Sequence, residues 1–240
     1  MKKPPVIIYE DADLLIVNKP ADLFTIPDRS NSQLSLTGWL QQKYDEVFIV
    51  HRLDKETSGV ICFARNKEAH RSLSMQFESR TVDKYYFALL DGIPFEKIGV
   101  INKPLAPSTT QPGTMVVANR GKNAVTEYEI IEEFKQFALV KANIKTGRMH
   151  QIRIHFKSIG FPLAVDALYG RKTELYLSEI KRKKFNIGKF VEEQPIMSRT
   201  TLHSASLSFE HPTTQTRMTF EAEMPKDFSA LLNQLRKWGK

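Results

Sequence analysis

The chain has 240 residues, of which 41% are hydrophobic, and it carries a formal net charge of +8 at pH 7 with an isoelectric point near 9.4. This length and composition suit one sizeable core or two closely joined halves, and they exclude a disordered tail. The excess of cations favours a polyanionic partner, because lysines and arginines that replace counterions on phosphates gain binding free energy.

The single cysteine, Cys62, lies in an apolar run at residues 60–64, so no intrachain disulfide is possible and a reducing compartment is expected. No apolar run reaches the ~20 residues that a membrane span needs. The first residues lead into a strand-like segment without the apolar core of a signal peptide. We therefore expect a cytoplasmic protein that does not bind membranes.

Short runs rich in β-branched and aromatic residues predict strands in the first part of the chain. Asn66 is a candidate N-cap for a helix that places Ala69, Leu73 and Phe77 on one face, and a weaker helix is predicted over residues 34–44. The predicted strands are residues 6–9, 14–17, 48–53, 60–65 and 85–90.

Residues 102–123 are rich in proline and glycine and predict a long connection between two halves, with at most a short strand at 115–118. Strands are then predicted over residues 125–131 and 137–144. They precede a helix that Gly160 ends, and the spacing leaves Arg153 off the apolar face of this helix. That face consists of Met149, Ile152, Phe156 and Ile159.

Two further strands, 201–209 and 217–222, precede a helix after Pro225 with Phe228, Leu231, Leu232 and Leu235 at helical spacing. Strands outnumber helices, and regular helices do not separate them. The pattern therefore predicts an α+β fold around a mixed, largely antiparallel sheet. We expect residues 1–240 to form a single domain built from the two halves.

Two polar motifs carry the chemical information. Residues 51–59 (His-Arg-Leu-Asp-Lys-Glu-Thr-Ser-Gly) place one central acid, Asp54, between basic and hydroxyl neighbours and end on a turn-forming glycine. Residues 145–155 (Lys-Thr-Gly-Arg-Met-His-Gln-Ile-Arg-Ile-His) offer cations and hydrogen-bond donors of the kind that hold a carboxylate ionised. An aspartate and an arginine cluster are thus the candidates for chemistry.

Several cofactor chemistries lack support in the sequence. The chain contains no Gly-x-Gly and no phosphate-binding Gly-x-x-x-x-Gly-Lys-Ser/Thr motif. One cysteine does not supply a zinc deaminase site, and His51, His150 and His155 lack metal-ligand spacing. We therefore expect neither a cofactor nor a metal ion.

Together the two motifs resemble the RluA-type family of RNA pseudouridine synthases. Further runs follow in the order of that family, and the resemblance covers most of the chain. These runs are Tyr-Glu-Asp at 9–11, Leu-Leu-Ile-Val-Asn-Lys-Pro at 14–20, Lys-Tyr-Tyr at 84–86, Leu-His-Ser-Ala at 202–205 and His-Pro at 211–212. The resemblance implies a bent β-sheet and the conversion of uridine in RNA to pseudouridine after the base is flipped out of the RNA.

The resemblance implies three catalytic residues. Asp54 is the catalytic carboxylate, Arg148 pairs with it and keeps it ionised, and Tyr86, two residues after a lysine, stacks on the uracil. Asp54 would attack the sugar or the base, or stabilise a separated base, and the sequence leaves these routes open. Outside this family pattern, Asp54 reads as a turn residue and Tyr86 as a core aromatic.

Three cations are the predicted substrate-binding residues: Arg52, Lys84 and Arg153. In the family pattern Arg52 fills the gap that a flipped base leaves, and in a strand it would point the same way as Asp54. The alternative for Arg52 is an ordinary salt bridge with Asp54 or Glu56. The basic run at 181–184 is interpreted either as an RNA-backbone contact or as a solvated face.

The partner implied by the resemblance is a stem-loop of transfer RNA or ribosomal RNA. No room precedes His51 for the small S4-like RNA-binding domain of many relatives, so we expect a short form of the family, acting as a monomer. Two other hypotheses stay open. One is an RNA-binding module without catalysis; the other is a glycoside hydrolase, which needs two carboxylates at a defined separation.

Overall fold

The computed structural model describes residues 4–27, 34–182, 185–186 and 192–239. Within these ranges the chain forms twelve strands and five helices. The strands are β1 (Val6–Glu10), β2 (Leu14–Lys19), β3 (Phe48–Ile49), β4 (Ser58–Ala64), β5 (Asp83–Asp91), β6 (Ile98–Asn102), β7 (Leu105–Pro107), β8 (Met115–Val117), β9 (Val125–Glu133), β10 (Phe137–Ile144), β11 (Leu202–Glu210) and β12 (Arg217–Glu221). The helices are α1 (Leu36–Gln41), α2 (Lys67–Ser79), α3 (Gln151–Ser158), α4 (Leu177–Lys181) and α5 (Lys226–Trp238).

Most strand pairs are antiparallel. Strand β2 pairs with β1 and β4, β9 pairs with β6 and β10, and β12 pairs with β11, all antiparallel, whereas β4 and β11 are parallel. The prediction of an α+β fold with a mixed, largely antiparallel sheet is therefore confirmed.

The chain divides into two compact units. Unit 1 comprises Met1–Tyr86 and His203–Glu223, and unit 2 comprises Phe87–Leu202 and Met224–Lys240. Strands β5 and β11 run through the points where the chain passes from one unit to the other. The proline- and glycine-rich residues 102–123 lie inside unit 2, where they include β7 and β8. That all 240 residues act as a single catalytic domain stays a prediction.

The core of unit 1 lies between its sheet and α2. Alternate residues of β2 and β4, among them Ile16 and Cys62, pack with Leu73 of α2 and Phe209 of β11. Helix α2 begins where the sequence predicts, because the Asn66 side chain accepts a hydrogen bond from the Ala69 amide at 2.8 Å. Burial raises the pKa of the Cys62 thiol, so this cysteine is an inert core residue.

The core of unit 2 is covered by α5. Phe228, Leu231, Leu232 and Leu235 of this helix are all buried, and they pack against β10, the segment at 164–165 and α4. Their spacing of three and four residues puts them on one helical face, as the sequence predicts. Gly160 adopts a φ of +91° directly after α3, and it ends that helix as predicted.

Some predicted elements differ in extent or were missed. Strand β3 ends at Ile49 rather than at residue 53, because Leu53 is hydrogen-bonded to the Thr25 side chain instead of to a neighbouring strand. Met149 lies before α3 and is 40% exposed, so it does not belong to the apolar face of that helix. Strands β6 and β7 and helix α4 were not predicted.

Gly59 fixes the approach of β4 to β11. Its φ is +119°, and a Cβ atom built there would lie 2.1 Å from the carbonyl oxygen of Ser204. The two strands therefore approach this closely only with glycine at position 59. The loop at 51–57 leads directly into this contact.

Candidate active site

Asp54 lies half-buried in the loop that connects β3 to β4. Its carbonyl oxygen accepts a hydrogen bond from the Thr57 amide at 3.1 Å, which closes a turn. The preceding residue, Leu53, is held through both its amide and its carbonyl by the Thr25 hydroxyl, at 3.2 and 2.8 Å. The backbone on both sides of Asp54 is thus fixed before any substrate binds.

Lys19 is hydrogen-bonded to the same loop. Its side chain is fully buried, and its ammonium group donates to the carbonyl oxygens of Pro20, Leu23 and Lys55 at 3.0, 2.8 and 3.0 Å. Three carbonyl dipoles offset part of the cost of burying the charge. Lys19 therefore ties the residue after Asp54 to the end of β2.

Tyr86 lies on β5, within electrostatic range of Asp54. Burial raises the pKa of the Tyr86 hydroxyl above its ordinary value, the hydrogen bond with Ser204 lowers it, and the negative charge of Asp54 raises it further. The electrostatic effect requires the carboxylate and the phenol to be close. A carboxylate and a protonated tyrosine are thus brought together within unit 1.

Lys84 lies two residues before Tyr86, and both side chains are buried while Tyr85 between them is half-buried. Residues two apart on a strand point to the same face, so Lys84 and Tyr86 share one side of β5. The Lys84 ammonium lies 5.6 Å from the centre of the Phe77 ring. A contact of Lys84 with RNA stays a prediction.

His51 packs in the same region. Its ring stacks on Phe77 with centroids 4.7 Å apart, and its Nε2 accepts a hydrogen bond from the Cys62 amide at 3.1 Å. Burial lowers the pKa of His51 to about 3, and the charge of Lys84 contributes to the shift. The histidine is therefore neutral at pH 7 and serves as a structural acceptor.

We expect stability to fall as the pH is lowered from about 7 to 5 because His51 binds a proton only after unfolding. Its pKa is about 3 in the folded chain. In the unfolded chain it is about 6.5. The stabilisation is fully present above the unfolded pKa and is lost as the pH falls towards the folded one, with a slope of up to about 1.4 kcal/mol per pH unit. Urea denaturation at several pH values measures the slope.

The control for this prediction is His51→Gln, which offers a neutral acceptor that does not titrate. Burial also lowers the pKa of His155, so the variant retains some pH dependence of the same sign. The slope of the free energy of unfolding should be smaller in the variant than in the unaltered protein. Equal slopes would show that His51 does not contribute.

The structure places Arg52 in the loop, exposed, and not in a strand. The expectation that Arg52 and Asp54 point the same way through strand alternation is therefore wrong, because β3 ends three residues earlier. An exposed arginine beside a half-buried carboxylate still suits an RNA contact. That role stays a prediction.

Arg148 lies in unit 2, in the loop before α3, and Gln151 organises this loop. The Gln151 side-chain oxygen accepts from the Arg148 amide at 3.1 Å and from the Thr146 hydroxyl at 2.7 Å. Its amide group donates to the Val125 carbonyl and the Thr126 hydroxyl. The Arg148 Nε donates to the carbonyl oxygen of residue 123 at 3.1 Å, so its backbone and side chain are both fixed.

Arg153 is buried, with 1% of its surface exposed, and it forms a bidentate ion pair with Asp166 at 2.7 and 2.6 Å. Asp166 also accepts from the amides of Leu168 and Tyr169, and the Tyr169 hydroxyl is 2.7 Å from Nδ1 of His150. Arg153 thus orders the segment that follows it in unit 2. Its predicted contact with the substrate stays a prediction.

The sequence interpretation gave no role to four residues that fix these loops: Lys19, Thr25, Gln151 and Asp166. A lysine at the end of an apolar run is ordinarily exposed, so the sequence does not predict the burial of Lys19. Lys19 lies in the run at 14–20 and Gln151 in the run at 145–155, and both side chains are hydrogen-bonding types. Nothing in the sequence indicates the partners, which are distant in the chain.

Neither a metal cluster nor a membrane-spanning helix is found in the described part of the chain. No group of three or more His, Cys, Asp or Glu side chains there is arranged to hold a metal ion. None of the helices in those ranges has the length and apolar character of a transmembrane segment.

Comparisons with known proteins find similarity along both units of the chain. The profile of the RNA pseudouridylate synthase family matches residues 13–158. An uncharacterised RNA pseudouridine synthase of Bacillus subtilis is 36% identical over 242 aligned positions, covering 97% of this chain and 73% of the relative. The ribosomal large subunit pseudouridine synthase D of Pseudomonas aeruginosa is 33% identical, and the alignment covers 96% of this chain and 72% of the relative.

Solved structures show the same fold. Human RNA pseudouridylate synthase domain containing 4 superposes with a TM-score of 0.73 at 24% identity, covering 96% of this chain and 92% of that one. Human RNA pseudouridylate synthase domain containing 1 superposes with a TM-score of 0.70 at 25% identity, covering 97% of this chain and 95% of that one. The match extends over nearly the whole of each chain.

Proposed function

Because this chain belongs to the RluA-type family of RNA pseudouridine synthases and is therefore an isomerase of uridine in RNA, we propose that Asp54 is its catalytic carboxylate. The observation that carries the proposal is the position of Asp54 in a turn tied down by Lys19 and Thr25, with the buried Tyr86 within range of its charge. A fixed backbone keeps the carboxylate in place without further ordering when the substrate binds.

The reaction breaks the bond between ribose C1′ and uracil N1 and forms a bond between C1′ and C5. The proton on C5 is lost and N1 gains one, so the product has the same atoms as the substrate. Each of the three routes open to Asp54 begins with an ionised carboxylate near the sugar and the base. Tyrosine is ordinarily protonated at neutral pH, and burial raises the pKa of Tyr86 further. Its ring offers a surface on which a flipped uracil stacks.

The resemblance to the family assigns a further role to Arg148 of unit 2. A bound nucleotide displaces water, which disfavours a charged carboxylate unless a cation stabilises it. The family pattern assigns that cation to Arg148, whose guanidinium group can donate two parallel hydrogen bonds to a carboxylate. The fixed loop around Gln151 supports this role because it limits the conformations of Arg148.

We propose ribosomal RNA of the large subunit as the substrate. The support is the printed name of relatives such as that of Pseudomonas aeruginosa, which are ribosomal large subunit pseudouridine synthases. The net charge of +8 suits a polyanionic RNA of either kind. Transfer RNA is therefore the comparison arm of the experiment.

The test incubates the purified protein with unmodified transcripts of large-subunit ribosomal RNA and of transfer RNA. Pseudouridine is then mapped by a chemical label specific for the new base, since isomerisation leaves the mass unchanged. We expect one or a few modified uridines in the ribosomal RNA and none in the transfer RNA. Modification of transfer RNA alone would overturn the substrate assignment while leaving the activity intact.

A further inference from the structure

Unit 2 contains a cavity of about 400 Å³ between β10, α4 and the end of α5. This volume is near the lower end of the ~300–1,000 Å³ of ligand sites. The floor is apolar and comprises Phe137, Ile180, Leu235 and Trp238. The rim carries four cations, Lys135, Lys181, Arg182 and Lys237, and a single carboxylate, Glu179.

The charges of the rim do not cancel. Glu179 is ion-paired with Lys172, which does not line the cavity, and it accepts a hydrogen bond from the Tyr176 amide. Within residues 4–27, 34–182, 185–186 and 192–239, none of the four rim cations forms an ion pair with a carboxylate. By contrast, five arginines elsewhere in these ranges are paired with acids: Arg153, Arg171, Arg199, Arg217 and Arg236.

Trp238 holds two of these cations in place. The ammonium groups of Lys181 and Lys237 each lie 5.2 Å from the centre of a Trp238 ring. The Lys135 amide donates to the carbonyl oxygen of Gly239 at 2.6 Å, which fixes the chain just after the tryptophan. Two lysines from different helices are thereby held at one site before any ligand binds, which reduces the entropy lost on binding.

The helix dipole offers a competing explanation for the occurrence of lysines at these two positions. Lys181 and Lys237 lie in the last turns of α4 and α5, where a cation interacts favourably with the helix dipole. That dipole corresponds to about half a negative charge at each helix end. Two such ends offset about one of the four positive charges, so the cavity remains strongly cationic.

We propose that this cavity is an accessory RNA-binding site that takes backbone phosphates of the substrate RNA. The proposal rests on RNA as the substrate of the enzyme, and charge complementarity selects this occupant. Lys181 and Lys237 bind the phosphate, and Lys135 and Arg182 extend the cationic surface along the backbone. Lys183 and Lys184 of the basic run at 181–184 lie outside the described residues.

Trp238 gives a direct measurement. The chain has two tryptophans, Trp39 and Trp238, so in a Trp39→Phe variant all tryptophan emission comes from the cavity. The variant also carries Asp54→Asn, so that binding is measured without turnover. Titration with the RNA substrate should change the emission of Trp238 along the same saturation curve as the binding itself. Emission that stays constant while the RNA binds would overturn the proposal.

Charge removal gives the second measurement. In the same background, Lys181→Gln with Lys237→Gln should raise the dissociation constant of the RNA complex roughly tenfold. The magnitude of the slope of log K against log salt concentration should fall by about 1 to 2. The matched control removes two exposed cations of α2, through Lys67→Gln with Arg71→Gln. We expect the control to change the affinity less than about threefold.

The outcomes separate this proposal from the catalytic one. An equal loss of affinity in the two double variants would mean that total charge, not the cavity, binds RNA, and would overturn the proposal. Melting temperatures of both variants, measured alongside, exclude unfolding as the cause of a loss. Because all binding is measured with Asp54 replaced, the result does not depend on whether Asp54 is the catalytic residue.

Discussion

Asp54→Asn is expected to lower the rate of pseudouridine formation by about a thousandfold or more. Asparagine has nearly the same shape but does not ionise, so it neither attacks as a nucleophile nor stabilises a developing positive charge at the sugar. The backbone around position 54 should keep its conformation, because its contacts to Thr57 and Lys19 use carbonyl groups of the main chain. Single-turnover assays on the RNA substrate measure the rate, and circular dichroism checks the fold.

Glu56→Gln is the matched control, since it removes one negative charge from the same turn. We expect this variant to retain most of the activity, because Asp54 and not Glu56 adds its charge to the surroundings of Tyr86. Both variants should bind the RNA with similar affinity. An Asp54→Asn enzyme with more than about a tenth of the normal rate would show that another group carries the reaction.

Arg153→Met is expected to destabilise the protein by about 3–5 kcal/mol. The substitution leaves the Asp166 carboxylate buried without its bidentate partner, and burying a lone charge is far more costly than losing an exposed ion pair. The same loss should loosen the segment whose Leu168 and Tyr169 amides bind Asp166. Urea denaturation at pH 7 measures the change in the free energy of unfolding.

Two controls make the prediction specific. Arg236→Met breaks an ion pair with Glu132 in which the arginine side chain is about half exposed, and it should cost less than about 1 kcal/mol. Adding Asp166→Asn to Arg153→Met should recover part of the lost stability, because the uncompensated charge is removed. Similar losses for the two arginine variants would show that the buried pair contributes no more than a surface pair.

The parts of the fold that the sequence predicted are those determined by local patterns. The alternation and apolar runs in β2 and β4, the Asn66 cap of α2 and the spacing along α5 are visible within a few residues. Strand β7 was missed because Pro104 and Pro107 indicated a loop, although β7 ends at Pro107 and pairs with β8 over three residues. Helix α4 has five residues and presents too little periodicity to detect.

The sequence predicts which residues are candidates for the site, but it does not predict the long-range contacts that hold them in place. The motifs named Asp54 and Tyr86, and the structure brings these two together within unit 1. The burial of Arg153 was not visible, because its partner Asp166 lies thirteen residues away and beyond the end of the helix. The strand that was to orient Arg52 ends early, since Thr25 takes the hydrogen bonds of Leu53. Long-range partners of this kind leave no periodic signal.

The parallel pairing of β4 with β11 has a consequence for synthesis on the ribosome. Strand β4 is fully buried in the finished protein, but its parallel partner begins about 140 residues later in the chain. Until that segment has emerged, Ser58 and Gly59 at the start of β4 lack their partner, whereas β3 pairs with the far end of the same strand at Phe63 and Ala64. Because unit 1 is built from residues 1–86 and 203–223, it can complete its fold only after the whole of the intervening unit 2 segment has been synthesised.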